Sequence, residues 1–99
     1  MSQRGLFKVI LSDLPEAAVR TLALIGLKET YSSPFRKDGA IFRNSEGRLP
    51  ARPRGYYREY TVPTPGSTKR GSRRFVVGEA GEIYYTEDHY QTFVEVATS

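Results

Sequence analysis

Apolar residues near the start of the chain recur at helical spacing, whereas those of the second half cluster in short β-like runs. After Ser12-Asp13-Leu14-Pro15-Glu16, the positions Ala18, Val19, Leu22, Ala23 and Ile25 fall along one helical face. Asp13 is the candidate N-cap, Pro15 suits the first turn and Gly26 offers a stop. The pattern therefore predicts one helix of roughly three turns, with its apolar stripe turned to a core. Ahead of it, Leu6–Leu11 is short, apolar and partly β-branched, a candidate strand. Residues 26–40 hold Gly26, Ser32, Ser33, Pro34 and Gly39 without periodicity and read as loop.

Further along, Ala40-Ile41-Phe42, Tyr56–Val62, Arg73–Val77, Glu82–Tyr85 and Tyr90–Val96 read as strands. Turn clusters separate them at Asn44-Ser45-Glu46-Gly47, Thr64-Pro65-Gly66-Ser67 and Thr86-Glu87-Asp88-His89. Leu49–Arg54, rich in Pro and Arg, reads as an extended connection. One helix followed by about four or five consecutive strands is an α+β pattern, a helix packed on an antiparallel sheet. The 99 residues suit a single domain spanning 1–99.

Composition removes several function classes. The chain has no cysteine and one histidine, so disulfides, cysteine nucleophiles and histidine-rich metal sites are out. Neither a metal nor a cofactor is expected. The longest apolar run, Val9-Ile10-Leu11, is too short for a membrane span, and the first residues lack a signal-peptide pattern. Charge is distributed unevenly. Residues 48–74 carry 8 Lys/Arg against 1 Asp/Glu, a net +7, while residues 75–99 carry 5 acids and no Lys or Arg. Such a cationic middle favours a polyanion, RNA or DNA first and an acidic protein second. A solvated basic face is the plain alternative.

Three polar groups sit oddly in this pattern. Glu59 is the one acid in the basic segment and lies within an aromatic strand, on the same face as Tyr57 and Thr61. Arg74 opens the following strand, so antiparallel pairing would bring it to that face, with Arg70 and Arg73 nearby. His89 stands at a turn beside Tyr90. A carboxylate, a histidine and arginines form a coherent set for metal-free phosphodiester transfer on RNA: a base, an acid and phosphate-binding cations. A sheet ion pair with an unrelated surface histidine is the alternative.

Six short motifs bear on that choice. Tyr56-Tyr57-Arg58-Glu59-Tyr60-Thr61-Val62, Thr64-Pro65-Gly66, Arg70-Gly71-Ser72-Arg73-Arg74, Gly78-Glu79, Tyr84-Tyr85-Thr86 and Asp88-His89-Tyr90 follow in one order. This series resembles the bacterial guanyl-specific ribonucleases, the barnase and binase family, and most closely its ribonuclease Sa branch. The resemblance runs from about Ile10 to Phe93 and is dense after Phe42.

The resemblance implies the microbial ribonuclease fold and cleavage of single-stranded RNA after guanosine, through a 2′,3′-cyclic phosphate that is then hydrolysed. It assigns Glu59 as general base, His89 as general acid, Arg70 and Arg74 as phosphate-binding arginines and Tyr90 as a tyrosine at the phosphate. It also assigns the base site to Phe42-Arg43-Asn44-Ser45-Glu46, with the Glu46 carboxylate taking the two adjacent donors that guanine offers and adenine lacks. Ser45 departs from the arginine usual there, and Ile10 stands where that branch has the first cysteine of its disulfide. Further implications are secretion or delivery to a target cell and a small acidic, barstar-like protein inhibitor, while a monomer is the default for so small a catalytic domain. A non-catalytic RNA-binding module on the same fold is the second functional reading. The retained Glu59 argues against it, because an acid among phosphates repels a ligand that is merely bound.

Overall fold

The computed structural model describes residues 6–26 and 38–97. The first element, β1 (Lys8–Ile10), leads through a 3₁₀ turn at Leu11–Asp13 into the helix α1 (Glu16–Ile25). Five strands follow: β2 (Ala40–Phe42), β3 (Tyr57–Thr61), β4 (Arg74–Gly78), β5 (Ile83–Thr86) and β6 (Val94–Ala97). They form one six-stranded sheet in the order β1-β6-β5-β4-β3-β2. All pairs are antiparallel except β1–β6, which is parallel and sets Ile10 opposite Ala97. Backbone pairing thus joins the two ends of the described chain.

The helix forms where its apolar spacing predicts, and Ala18, Thr21 and Ile25 are its buried positions. Its start differs from expectation. Asp13 belongs to the 3₁₀ turn and Pro15 is the N-cap, with no side-chain hydrogen bond to the first turn. A leucine and a proline separate Asp13 from the first free helical N–H groups, so its carboxylate is out of capping register. Ala23 and Leu24 face outward, and Gly26 ends the helix in an ordinary right-handed conformation.

The sheet is a little larger than the four or five strands expected, because β1 adds itself to one edge. Residues 27–37, most of the expected loop, lie outside the described residues. Strict alternation divides the sheet into two faces. Val62, Phe75, Tyr85 and Val96 meet Ala18 and Ile25 of α1 on one face. On the other, Tyr57, Val76 and Tyr84 pack with Leu49 and Phe93 from the connections, with Phe42, Tyr56 and Tyr90 at the margin. Sharing this second face are Glu59, Thr61, Arg74 and Thr86, since Thr61 pairs with Arg74 and Arg74 with Thr86. The last strand begins at Val94 rather than Tyr90, because His89 and Tyr90 adopt φ of 57° and 75°, which no strand accommodates.

Candidate active site

Glu59 sits mid-strand on β3, where alternation sends its carboxylate away from the helix and toward the connections. Arg70 reaches it from the β3–β4 loop: its Nη2 is 3.8 Å from Glu59 Oε1, and its Nε donates to Thr61 Oγ1 at 2.8 Å. Thr61 is held in turn by Asp38, whose Oδ1 accepts from Thr61 N at 2.8 Å and from Thr61 Oγ1 at 2.7 Å. The tyrosine after the histidine completes the carboxylate's contacts, since Tyr90 Oη donates to Glu59 Oε1. Burial pushes the Tyr90 phenol well above its ordinary range, and the Glu59 carboxylate raises it further. It therefore stays a proton donor at neutral pH. Both contacts fall on Oε1.

Arg74 is 2% exposed, the most deeply placed charge of the site. Its Nη1 donates to Gly71 O at 3.0 Å and Arg73 O at 2.9 Å, and its guanidinium carbon lies 5.9 Å from the Tyr90 ring centre. Gly71 is required for this turn. It has φ +71°, and a Cβ there would fall 2.7 Å from Thr64 Oγ1. Arg70 Nη2 and Arg74 Nε are both buried without a hydrogen-bond partner among the described residues. Buried cationic donors left unpaired are costly, and an anion's oxygens are the acceptors that suit them.

The neighbouring cleft holds about 330 Å³ and is lined by Phe42 to Glu46, Arg48, His89, Tyr90, Gln91 and Phe93. All five residues of the expected base site line it, together with the histidine. Phe42 stacks on Tyr90 at 5.0 Å, and the His89 ring lies 4.8 Å from Tyr90. The loop is shaped by Asn44, itself at φ 57°, whose Nδ2 donates to Leu49 O at 2.9 Å and whose Oδ1 accepts from Leu49 N at 3.1 Å. An asparagine tolerates that conformation and closes the loop with its own amide. Arg48 Nη1 pairs with Glu46 Oε1. Tyr90 thus borders both the cleft and the Glu59–arginine cluster.

All ten residues singled out from the sequence fall in these two adjoining regions. Those missed are the supports: Asp38 and Thr61 behind Arg70, Arg48 beside Glu46, and Thr86 with Thr92 around Asp88. Among the described residues no group of three or more His, Cys, Asp or Glu side chains is placed to hold a metal ion.

A family model described as ribonuclease matches residues 2–97. The chain belongs to the ribonuclease family. This ribonuclease is 52% identical over 89 residues to guanyl-specific ribonuclease St of Saccharopolyspora erythraea, a match covering 90% of this chain and 86% of that one. It is 51% identical over 86 residues to guanyl-specific ribonuclease Sa of Kitasatospora aureofaciens, covering 86% and 88%. Among solved structures it resembles ribonuclease Sa2 in complexes with mononucleotides, with TM-score 0.88, 47% identity and coverage of 95% and 96%. Ribonuclease Sa2 with guanosine-2′-cyclophosphate matches at TM-score 0.87 and 47% identity, covering 95% and 98%.

Proposed function

We propose that this ribonuclease is a metal-independent endonuclease of single-stranded RNA that cleaves on the 3′ side of guanosine. The observation that carries the reading is the Glu59 carboxylate set among the unpartnered buried donors of Arg70 and Arg74, with Tyr90 joining it to the cleft. The guanyl-specific names of relatives at about 50% identity support the base preference.

In the first step, the Glu59 carboxylate takes the proton from the 2′-hydroxyl as that oxygen attacks phosphorus. The P–O5′ bond breaks, and His89 protonates the departing 5′-oxygen. Arg70 and Arg74 stabilise the charge growing on the phosphoryl oxygens. In the second step water opens the 2′,3′-cyclic phosphate to a 3′-phosphate, and base and acid exchange roles. Every proton is accounted for by these side chains. Guanine lies in the cleft, where Glu46 accepts from N1–H and the exocyclic amine. The cationic middle segment guides RNA to the site. It equally suits a small acidic protein inhibitor that covers the same face.

The test is the pH dependence of kcat/KM on a guanosine dinucleotide, in chelator. A reaction needing one group ionised and another protonated follows a bell. Glu59→Gln should abolish the acidic limb and His89→Gln the alkaline one, each at low residual activity. A metal requirement, or a wild-type profile without two limbs, would contradict the assignment.

A further inference from the structure

His89 and Tyr90 are consecutive non-glycine residues in the left-handed region, at φ 57° and 75°. Such conformations are strained for residues with a Cβ and persist where the surroundings over-determine them. The ties converge on one carboxylate. Asp88 Oδ1 accepts from Thr86 Oγ1 at 2.8 Å and from Thr92 N at 2.9 Å, while Oδ2 accepts from Thr92 Oγ1 at 2.6 Å. Thr86 Oγ1 accepts in turn from Asp88 N at 3.3 Å and from Tyr90 N at 3.1 Å. Thr86 is 1% exposed at the end of β5, so the network is rooted in the sheet. From the other side, His89 N donates to Ser72 O at 2.9 Å and Ser72 Oγ donates to Glu87 O at 2.7 Å.

The ring itself has no comparable restraint. Among the described residues the His89 imidazole makes no hydrogen bond, so its aim comes from the backbone turn and the Tyr90 ring. Burial alone would raise the Asp88 carboxyl, but the bonds from Thr92, Thr86 and the backbone more than offset it and hold the group below the usual aspartate range. The clamp is therefore ionised and fully engaged at neutral pH.

We propose that Asp88 is a positioning residue for the general acid: through Thr86 and Thr92 its carboxylate holds the strained turn that aims His89 at the leaving oxygen. This rests on the reading of His89 as the acid. The two ideas are separable, because a misaimed acid matters only when the leaving group needs a proton.

The experiment compares two substrates, a guanosine dinucleotide and guanosine 3′-(4-nitrophenyl phosphate), whose leaving group departs without protonation. Asp88→Asn should lower kcat on the dinucleotide by on the order of tenfold or more, with KM within about twofold. The nitrophenyl substrate should lose less than about threefold. Thr92→Val should follow the same pattern and Thr92→Ser should restore activity, a comparison that stands if Asp88→Asn does not fold. Equal losses on the two substrates, or none on either, overturn the positioning role. His89→Ala is the reference: if it loses equally on both substrates, the acid assignment falls, and this inference with it.

Discussion

Replacing Arg74 by lysine keeps the charge and removes the planar fork. In the native site one nitrogen, Nη1, is committed to the Gly71 and Arg73 carbonyls, while Nε is buried and unpaired. A lysine ammonium can follow one of these directions but not all of them, because its donors radiate from a single point. The loss is thus one charge-assisted hydrogen bond to a phosphoryl oxygen, about 1.5–3 kcal/mol. At about 1.36 kcal/mol per decade this is roughly a ten- to hundredfold fall in kcat/KM. The assay is steady-state cleavage of a guanosine dinucleotide, at a temperature where thermal unfolding shows the variant folded. Arg58→Lys, on the opposite face of β3 and exposed, is the control and should leave the rate unchanged. Arg74→Lys within twofold of wild type would show that this arginine contributes only to the general field, and the phosphate clamp would be wrong.

Three further outcomes are expected. Glu46→Ala should lower cleavage at guanosine more than at adenosine by roughly 1–3 kcal/mol of discrimination; equal losses on the two dinucleotides would mean another group reads the base. The Asp88 carboxyl is held below its ordinary value of 3.8, so its stabilisation is complete above that value and is lost as pH falls through the lower, folded one. Urea titrations should therefore show the stability gap between wild type and Asp88→Asn closing as pH drops from about 5 toward about 2; a gap independent of pH would refute this. Tyr85 is 2% exposed, its hydroxyl is buried without a partner among the described residues, and burial pushes the phenol up to about 12. Tyr85→Phe should leave the melting temperature unchanged or raise it, by up to roughly 1–2 kcal/mol of stability, and a clear loss would reveal an acceptor for that hydroxyl.

Local periodicity made the helix and the middle strands legible. Apolar spacing at Ala18, Leu22 and Ile25 predicts the helix, and the β-branched and aromatic runs predict β3, β4 and β5 within about a residue or two. Alternation alone correctly puts Glu59 and Arg74 on one face. What stayed hidden is non-local. The parallel pairing of β1 with β6 joins segments at opposite ends of the described chain, and three residues of Lys8–Ile10 carry no signal of it. Asp13 looks like a cap by residue type, yet one extra turn of 3₁₀ helix takes it out of register.

The site divides in the same way. Its chemical groups stand out by type, while their supports consist of Thr, Ser and Asp residues that occur in any turn. Nothing in Thr86-Glu87-Asp88-His89-Tyr90 announces that two aromatic residues will share left-handed conformations. Alternation instead suggests a strand from Tyr90, and the structure delays it to Val94. The base loop shows the opposite balance. Phe42-Arg43-Asn44-Ser45-Glu46 reads as a turn from residue types, and only the resemblance gave it a role. The structure places all five around one cleft with His89 and Tyr90.

RNA cleavage after guanosine by the chain's own side chains is a chemical event whose products can be followed. The most direct measurement incubates the protein, in excess chelator, with a short single-stranded RNA containing one guanosine, and analyses the products by mass spectrometry over time. The expected result is a single cut on the 3′ side of that guanosine, with the 2′,3′-cyclic phosphate accumulating first and the 3′-phosphate replacing it. An intact RNA, cuts at every base alike, or a 3′-phosphate formed without the cyclic species would contradict it.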